Sequence, residues 1–300
     1  MTSATLIPDT PSPRIIGFFG TWITRMLRRD FHTVAMARGG AEVLRGLDSD
    51  NRPLMVIMNH SSWWDPLIGM YLSRTMMPNR PMLAPMEAEQ LMKFAFFRKL
   101  GIFGIDPDAP GAIDAMGTHV LGRFTARPNT AFWLTPQGEF TDVRAPIRLR
   151  PGAAAVAAKL DGFTASGAHG CRCVAVASEL VFWTDRRPEM LLHAVELAPP
   201  AAGQGPGSTL DWTRRMTTGL QDACTHLTGL AMARDPDAFD VLLGAGDGRI
   251  NPLYNLYLTL TGRSAAINAK RRTRKADSAR GTPPTPPTAA PAAAVKESQP

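Results

Sequence analysis

The chain has 300 residues, 44% of them hydrophobic, with 33 Lys and Arg against 26 Asp and Glu for a net charge of +7. That is too apolar for a wholly disordered chain and long enough for one sizeable core. Cys171, Cys173 and Cys224 lack a CxxC pair or clustered histidines, so a disulfide framework and a zinc set are excluded and reduced thiols are expected.

Ile15, Ile16, Phe18, Phe19, Trp22, Ile23, Met26 and Leu27 recur at helical spacing, with Arg25, Arg28 and Arg29 among them. Such a helix suits a bilayer interface, with Trp22 at headgroup level. The same face also suits an ordinary core helix. It falls short of the ~18 uncharged apolar residues that crossing requires, and it does not read as a secretion signal. Strand-like runs follow near 53–58, 81–85, 102–106, 130–135, 172–178 and 190–196. They alternate with helical segments near 66–76, 87–99, 111–126, 152–166 and 208–232. This alternation predicts an α/β layered domain with a largely parallel central sheet, preceded by the amphipathic amino-terminal segment. Asn251 to Leu260 reads as one more interfacial or packing helix, and Gly281 to Ala294, rich in Pro, Thr and Ala, as disordered. The division expected is a membrane-associating segment at 1–48, a catalytic domain at 49–263 and a basic tail at 264–300.

The sharpest chemical signal is Met58-Asn59-His60-Ser61-Ser62-Trp63-Trp64-Asp65-Pro66. The strand before it places His60 at a carboxyl end, and Asp-Pro predicts a helix start with Asp65 as its N-cap. A loop that brings the two together makes an oriented general base: the carboxylate fixes the imidazole tautomer and leaves the other nitrogen free to take a proton from a hydroxyl. A hydrogen-bonded loop histidine followed by a helix cap shows the same spacing. A second strand, Thr130 to Thr135, runs into Pro136-Gln137-Gly138-Glu139-Phe140-Thr141-Asp142, with Arg144, Arg148 and Arg150 beyond. In parallel sheets, sites gather at the carboxyl ends of strands, so His60 and Gly138 are placed to share one. There is no Walker loop, dinucleotide fingerprint or HExxH, so no cofactor or catalytic metal is expected.

Together these blocks resemble the glycerolipid acyltransferase family, which includes the lysophosphatidic acid acyltransferases. Asn59-His60 followed by four residues and Asp65 matches its first block, and the resemblance implies a catalytic base at His60 and an orienting acid at Asp65. Leu100-Gly101-Ile102-Phe103-Gly104-Ile105-Asp106 is similar to its second block, with Pro107 where an arginine is usual. Pro136-Gln137-Gly138 stands where the family has Pro-Glu-Gly, and Phe140 takes the place of another arginine. Cys173 to Ala177 resembles a fourth, strand block. Arginine suits phosphate because its planar fork donates two parallel charged hydrogen bonds. Either phosphate binding has moved, with Arg144, Arg148 and Arg150 close in sequence, or the acceptor carries none. The candidate substrate-binding residues are Asn59, Ser62, Gln137, Gly138, Glu139 and Arg144. Gly138 permits close backbone approach to a ligand.

The resemblance implies transfer of a fatty acyl group from acyl-CoA or acyl-carrier protein to a lysophospholipid hydroxyl, by default 1-acylglycerol-3-phosphate. Residues 1–38 carry a net +3 and residues 270–300 a net +5, leaving −1 between them. Positive ends on a near-neutral body suit an anionic surface, and the run Lys270 to Lys275 resembles a polybasic membrane patch. The partners expected are therefore a membrane lipid surface, the thioester donor and the lipid acceptor, at the cytoplasmic face of the cell membrane. Nucleic acid is not expected, because no recognition motif accompanies the basic run. The competing readings are an acyltransferase for a non-phosphate lipid alcohol, a hydrolase with Ser61 or Ser62 beside His60, and a non-catalytic membrane adaptor. A glycine-flanked nucleophile elbow, which a hydrolase would use, is absent.

Overall fold

Alternating apolar strands and half-apolar helices bury themselves by stacking helices on both faces of a sheet, and the computed structural model has that arrangement. It describes residues 6–162, 164–165, 168–183, 185–198 and 207–244. The chain divides after Gly246, and the second unit, Asp247–Pro300, lies outside the described residues, with the helix expected at 251–260 and the basic tail.

Helix α1 (Pro13–Asp30) leads into β1 (Thr33–Ala37), α2 (Gly40–Asp48), β2 (Leu54–Met58) and α3 (Asp65–Met76). Strand β3 (Met82–Glu87), α4 (Ala88–Lys93), a 3-10 turn (Ala95–Leu100), β4 (Ile102–Ile105), α5 (Ala112–Ala126) and β5 (Ala131–Leu134) follow. Then come α6 (Pro151–Asp161), a short hairpin of β6 (Thr164–Ala165) and β7 (Ala168–His169), β8 (Arg172–Val181), β9 (Glu189–Glu196), α7 (Thr209–Ala233) and β10 (Phe239–Gly244). Eight strands form one sheet in the order β10-β1-β9-β8-β2-β5-β3-β4. It is largely parallel: only β8–β9 and β1–β10 pair antiparallel. Side chains alternate across it, so Met55 and Ile57 join the core under α5, α6 and α7, while Leu54, Val56 and Met58 join the core under α1, α2 and α3.

Several expectations are corrected. Residues 33–48 are not an extension: β1 lies inside the sheet between β9 and β10, so the layered domain starts well before residue 49. The helix expected at 87–99 breaks at Phe94, where the backbone leaves helical geometry, and continues as the 3-10 turn. The helix expected to reach 166 stops at Asp161, before the hairpin. In α1, Ile23, Met26 and Leu27 are buried in the core, whereas Phe18 is 77% exposed and Ile15, Ile16 and Trp22 stay in solvent. The single apolar stripe of that helix is therefore covered over its carboxyl half and left largely in solvent over its amino half.

Candidate active site

Strands β5, β2 and β8 lie side by side and parallel, with Ile57 opposite Leu134 and Met58 opposite Val176. Two residues beyond these pairs, Pro136 and His60 leave the carboxyl ends of β5 and β2 beside Ser178, which is still within β8 as that strand runs on to Val181 against β9. The backbone then locks the two loops: His60 N donates to Gln137 Oε1 at 2.8 Å, and Thr141 N donates to His60 O at 2.9 Å. Gln137 also donates to the Thr141 hydroxyl.

His60 Nδ1 meets Asp65 Oδ2 at 3.2 Å. The loop between them turns tightly because that carboxylate gathers it: Ser61 N and Ser62 N donate to Oδ2 at 2.8 and 2.7 Å. Oδ1 accepts from the hydroxyls of Ser62 at 3.1 Å and Ser178 at 2.9 Å. Asp65 is therefore not the expected N-cap. Trp64 holds that position, and the Asp65 carboxylate, at the first helical residue, folds back on the preceding loop. The carboxylate is 1% exposed, a burial tolerable because each oxygen accepts several hydrogen bonds. With Nδ1 directed at the carboxylate, Nε2 is the nitrogen left for a substrate. Phe140 packs on the ring, centroids 4.1 Å apart, where the resemblance has an arginine.

His60 and Asp65 line a cavity of about 810 Å³ that straddles the sheet edge. One limb is lined by Gly69 of α3 and by Met58, Met70, Met82 and Trp133, which belong to or pack on the core under α1, α2 and α3. The other, toward α5 and α6, is lined by Ile105, Ile113, Met116 and Ala153. Unbranched, polarizable methionines give an apolar wall that adapts to a flexible chain.

The other expected site residues divide. Gly138 lines the cavity at φ +73, but the group pressed against it is the Arg150 side chain, whose Cδ would lie 2.6 Å from an added Cβ. Gln137 is buried and acts by holding His60 through the bond already given. Asn59 does not face a ligand: it is 2% exposed, donates to Ser178 O at 3.0 Å and accepts from Ser178 N at 2.7 Å, tying β2 to β8. Ser62 is occupied by Asp65 rather than by the imidazole. Glu139 and Arg144 are exposed and outside the cavity lining, and Arg144 is 82% exposed beside Asp142. Ser178 was missed as a site residue, and Arg150 was named beside Arg144 and Arg148 but passed over for Arg144. Ser178 had no signal beyond its place after an apolar run, whereas Arg150 was one of three arginines that sequence distance could not separate. Among the described residues no His, Cys, Asp and Glu group forms a metal site.

A buried carboxylate orienting an imidazole at the mouth of an apolar cavity is the equipment of a base-catalysed transfer to a hydroxyl. The acyltransferase family profile matches residues 27–178, just over half of the chain, and the protein belongs to that family. A crystal structure of the 1-acyl-sn-glycerophosphate acyltransferase PlsC from Thermotoga maritima is similar at 13% identity, with a TM-score of 0.49 over 71% of this chain and 80% of that one. No curated protein matches.

Proposed function

We propose that the protein moves a fatty acyl group from an acyl thioester, acyl-CoA or acyl-carrier protein, to the hydroxyl of a lysophospholipid, with 1-acylglycerol-3-phosphate the default acceptor. The observation that carries this reading is the His60–Asp65 pair opening on a methionine-lined cavity. The acceptor hydroxyl gives its proton to His60 Nε2 as its oxygen attacks the thioester carbonyl. Asp65 stabilises the imidazolium that results. The tetrahedral intermediate then collapses, the C–S bond breaks, and the imidazolium returns the proton to the leaving sulfur. Base assistance of this kind supplies ~10²- to 10⁴-fold, and positioning of the two substrates supplies much of the rest.

The reading includes peripheral attachment to the cytoplasmic face of a membrane. Trp22 on α1 stacks on Phe19, which meets Phe96 and Phe97, and Phe97 meets exposed Phe94, so two segments distant in sequence form one aromatic surface. Contiguous apolar exposure of this kind is uncommon on a protein that meets only water. Among the described residues no helix is long and apolar enough to cross a membrane. Phe140 on the His60 ring and Pro107 at the cavity wall favour a second acceptor class, a lipid alcohol without phosphate. The deciding experiment offers lysophosphatidate, other lysophospholipids and monoacylglycerol to one acyl thioester, following free thiol and identifying the ester by mass. An ester of lysophosphatidate supports the first acceptor class, an ester of monoacylglycerol alone the second. Thiol released without any ester would overturn the transferase reading in favour of hydrolysis.

A further inference from the structure

The resemblance leaves the chain without arginine at Pro107 and Phe140, and three later arginines competed to replace them. The structure separates them. Arg150 is the only Lys or Arg lining the cavity among the described residues, whereas Arg144 and Arg148 do not line it. The Arg150 stem crosses Gly138, where the missing Cβ leaves it room, and its backbone N donates to Pro136 O at 2.8 Å. The arginine is thus fixed to the loop that holds His60.

We propose that Arg150 is the anion-binding group of this cavity, gripping a phosphate carried by one of the two substrates. The inference rests on the acyl-transfer reading. The side chain is 48% exposed, and its partner Asp108, at 3.3 Å, is 83% exposed. A pair so open to water is weak, and an incoming phosphate that accepts two parallel charged hydrogen bonds displaces it. Pro151, Gly152 and Ala153, the first turn of α6, line the cavity beside the guanidinium, and no side chain caps that turn. The amides of Gly152 and Ala153, Pro151 having none, add to a field that the arginine supplies. Glu87 and Asp108 are the acidic side chains on the same lining besides Asp65, so without Arg150 the cavity repels an anion. The phosphate belongs either to the acceptor headgroup or to the carrier of the thioester.

The test crosses two acceptors, lysophosphatidate and monoacylglycerol, with two donors, acyl-CoA and the phosphate-free acyl thioester of N-acetylcysteamine, in wild type and Arg150→Ala. Removing hydrogen bonds to a charged group raises KM by about ten- to a hundred-fold. A rise confined to lysophosphatidate places the phosphate on the acceptor, and a rise confined to acyl-CoA places it on the donor. In each case kcat holds and Arg150→Lys, which keeps the charge without the fork, recovers part of the loss. Equal changes with all four substrates, or none, overturn the proposal. Should wild type transfer no acyl group at all, the acyl-transfer reading fails by itself. Phosphorus NMR titration with glycerol phosphate and with CoA then still decides about Arg150: binding lost in a folded Arg150→Ala supports the site, and binding absent from wild type or unchanged in the variant refutes it. Folding is checked by matched thermal midpoints, since no hydrogen bond from the Arg150 side chain caps α6.

Discussion

Asp65→Asn separates the two duties of the buried carboxylate. An amide keeps the shape: its oxygen at the Oδ2 position still accepts from Ser61 N, Ser62 N and His60 Nδ1. Its NH₂ at the Oδ1 position meets the Ser62 and Ser178 hydroxyls, which rotate to accept. What disappears is the negative charge facing the imidazolium. At a separation of about 4 Å and an effective dielectric of about 20, that interaction is worth about 4 kcal/mol. Since each 1.36 kcal/mol is tenfold in rate, kcat should fall by about a thousandfold. Asp65→Ala instead strands two backbone donors, the Ser62 hydroxyl and the His60 Nδ1–H, leaving the Ser178 hydroxyl only Asn59 Oδ1, at about 1–3 kcal/mol for each unsatisfied buried group. It should therefore lower the thermal midpoint strongly, whereas Asp65→Asn should not. The assay is steady-state thiol release with identified ester product, beside thermal unfolding of both variants. Full activity in Asp65→Asn would refute the charge argument, and unfolding of Asp65→Asn would refute the claim that shape survives.

Further expectations concern the thiols and the amino-terminal segment. Burial pushes the thiols of Cys173 and Cys224 up to about 12 and that of Cys171 well above its usual value, so Ellman's reagent should find no reactive cysteine until urea unfolds the chain. Any rapid native thiol signal would contradict that burial. Asp9 holds residues 6–12 on the body, its carboxylate 3.0 Å from His119 Nε2 and 3.1 Å from Arg123. Burial raises its pKa, but the His119 hydrogen bond and the charges of Arg123 and His119 outweigh burial and leave it below the ordinary 3.8. A depressed carboxylate stabilises the fold fully above its ordinary value and loses that contribution as pH falls through the lowered one. Urea midpoints of wild type and Asp9→Asn should therefore differ near neutrality and converge well below 3.8; a gap that widens in acid would reverse the sign.

The parallel strands that build the site were legible because each is a short apolar run bounded by turn residues, as in Met55 to Met58 before Asn59-His60. The edge of the sheet was not. Strand β10, Phe239–Gly244, pairs among the described residues with β1 alone and exposes Asp240 and Val241, so its pattern is diluted by solvent-facing positions. Asp-Pro at 65–66 located the helix start within a residue but gave Asp65 the wrong task, since a carboxylate there can bond forward into the helix or back into the loop, and the amides of Ser61 and Ser62 decide. Arg150 could not be chosen over Arg144 because the path of 139–150 over Gly138 is a tertiary matter. The reach of Ser178 to Asp65 depends on the register of β8 against β2 in the same way.

The central claim is that His60 removes the acceptor proton, and its most direct test is acyl transfer by wild type and a folded His60→Ala, scored by ester mass as well as thiol. The account predicts that the ester forms at ~10²- to 10⁴-fold lower rate in the variant, and that wild type shows no burst of thiol before acceptor is added. Undiminished ester formation by His60→Ala, or a stoichiometric burst from wild type without acceptor, would contradict it.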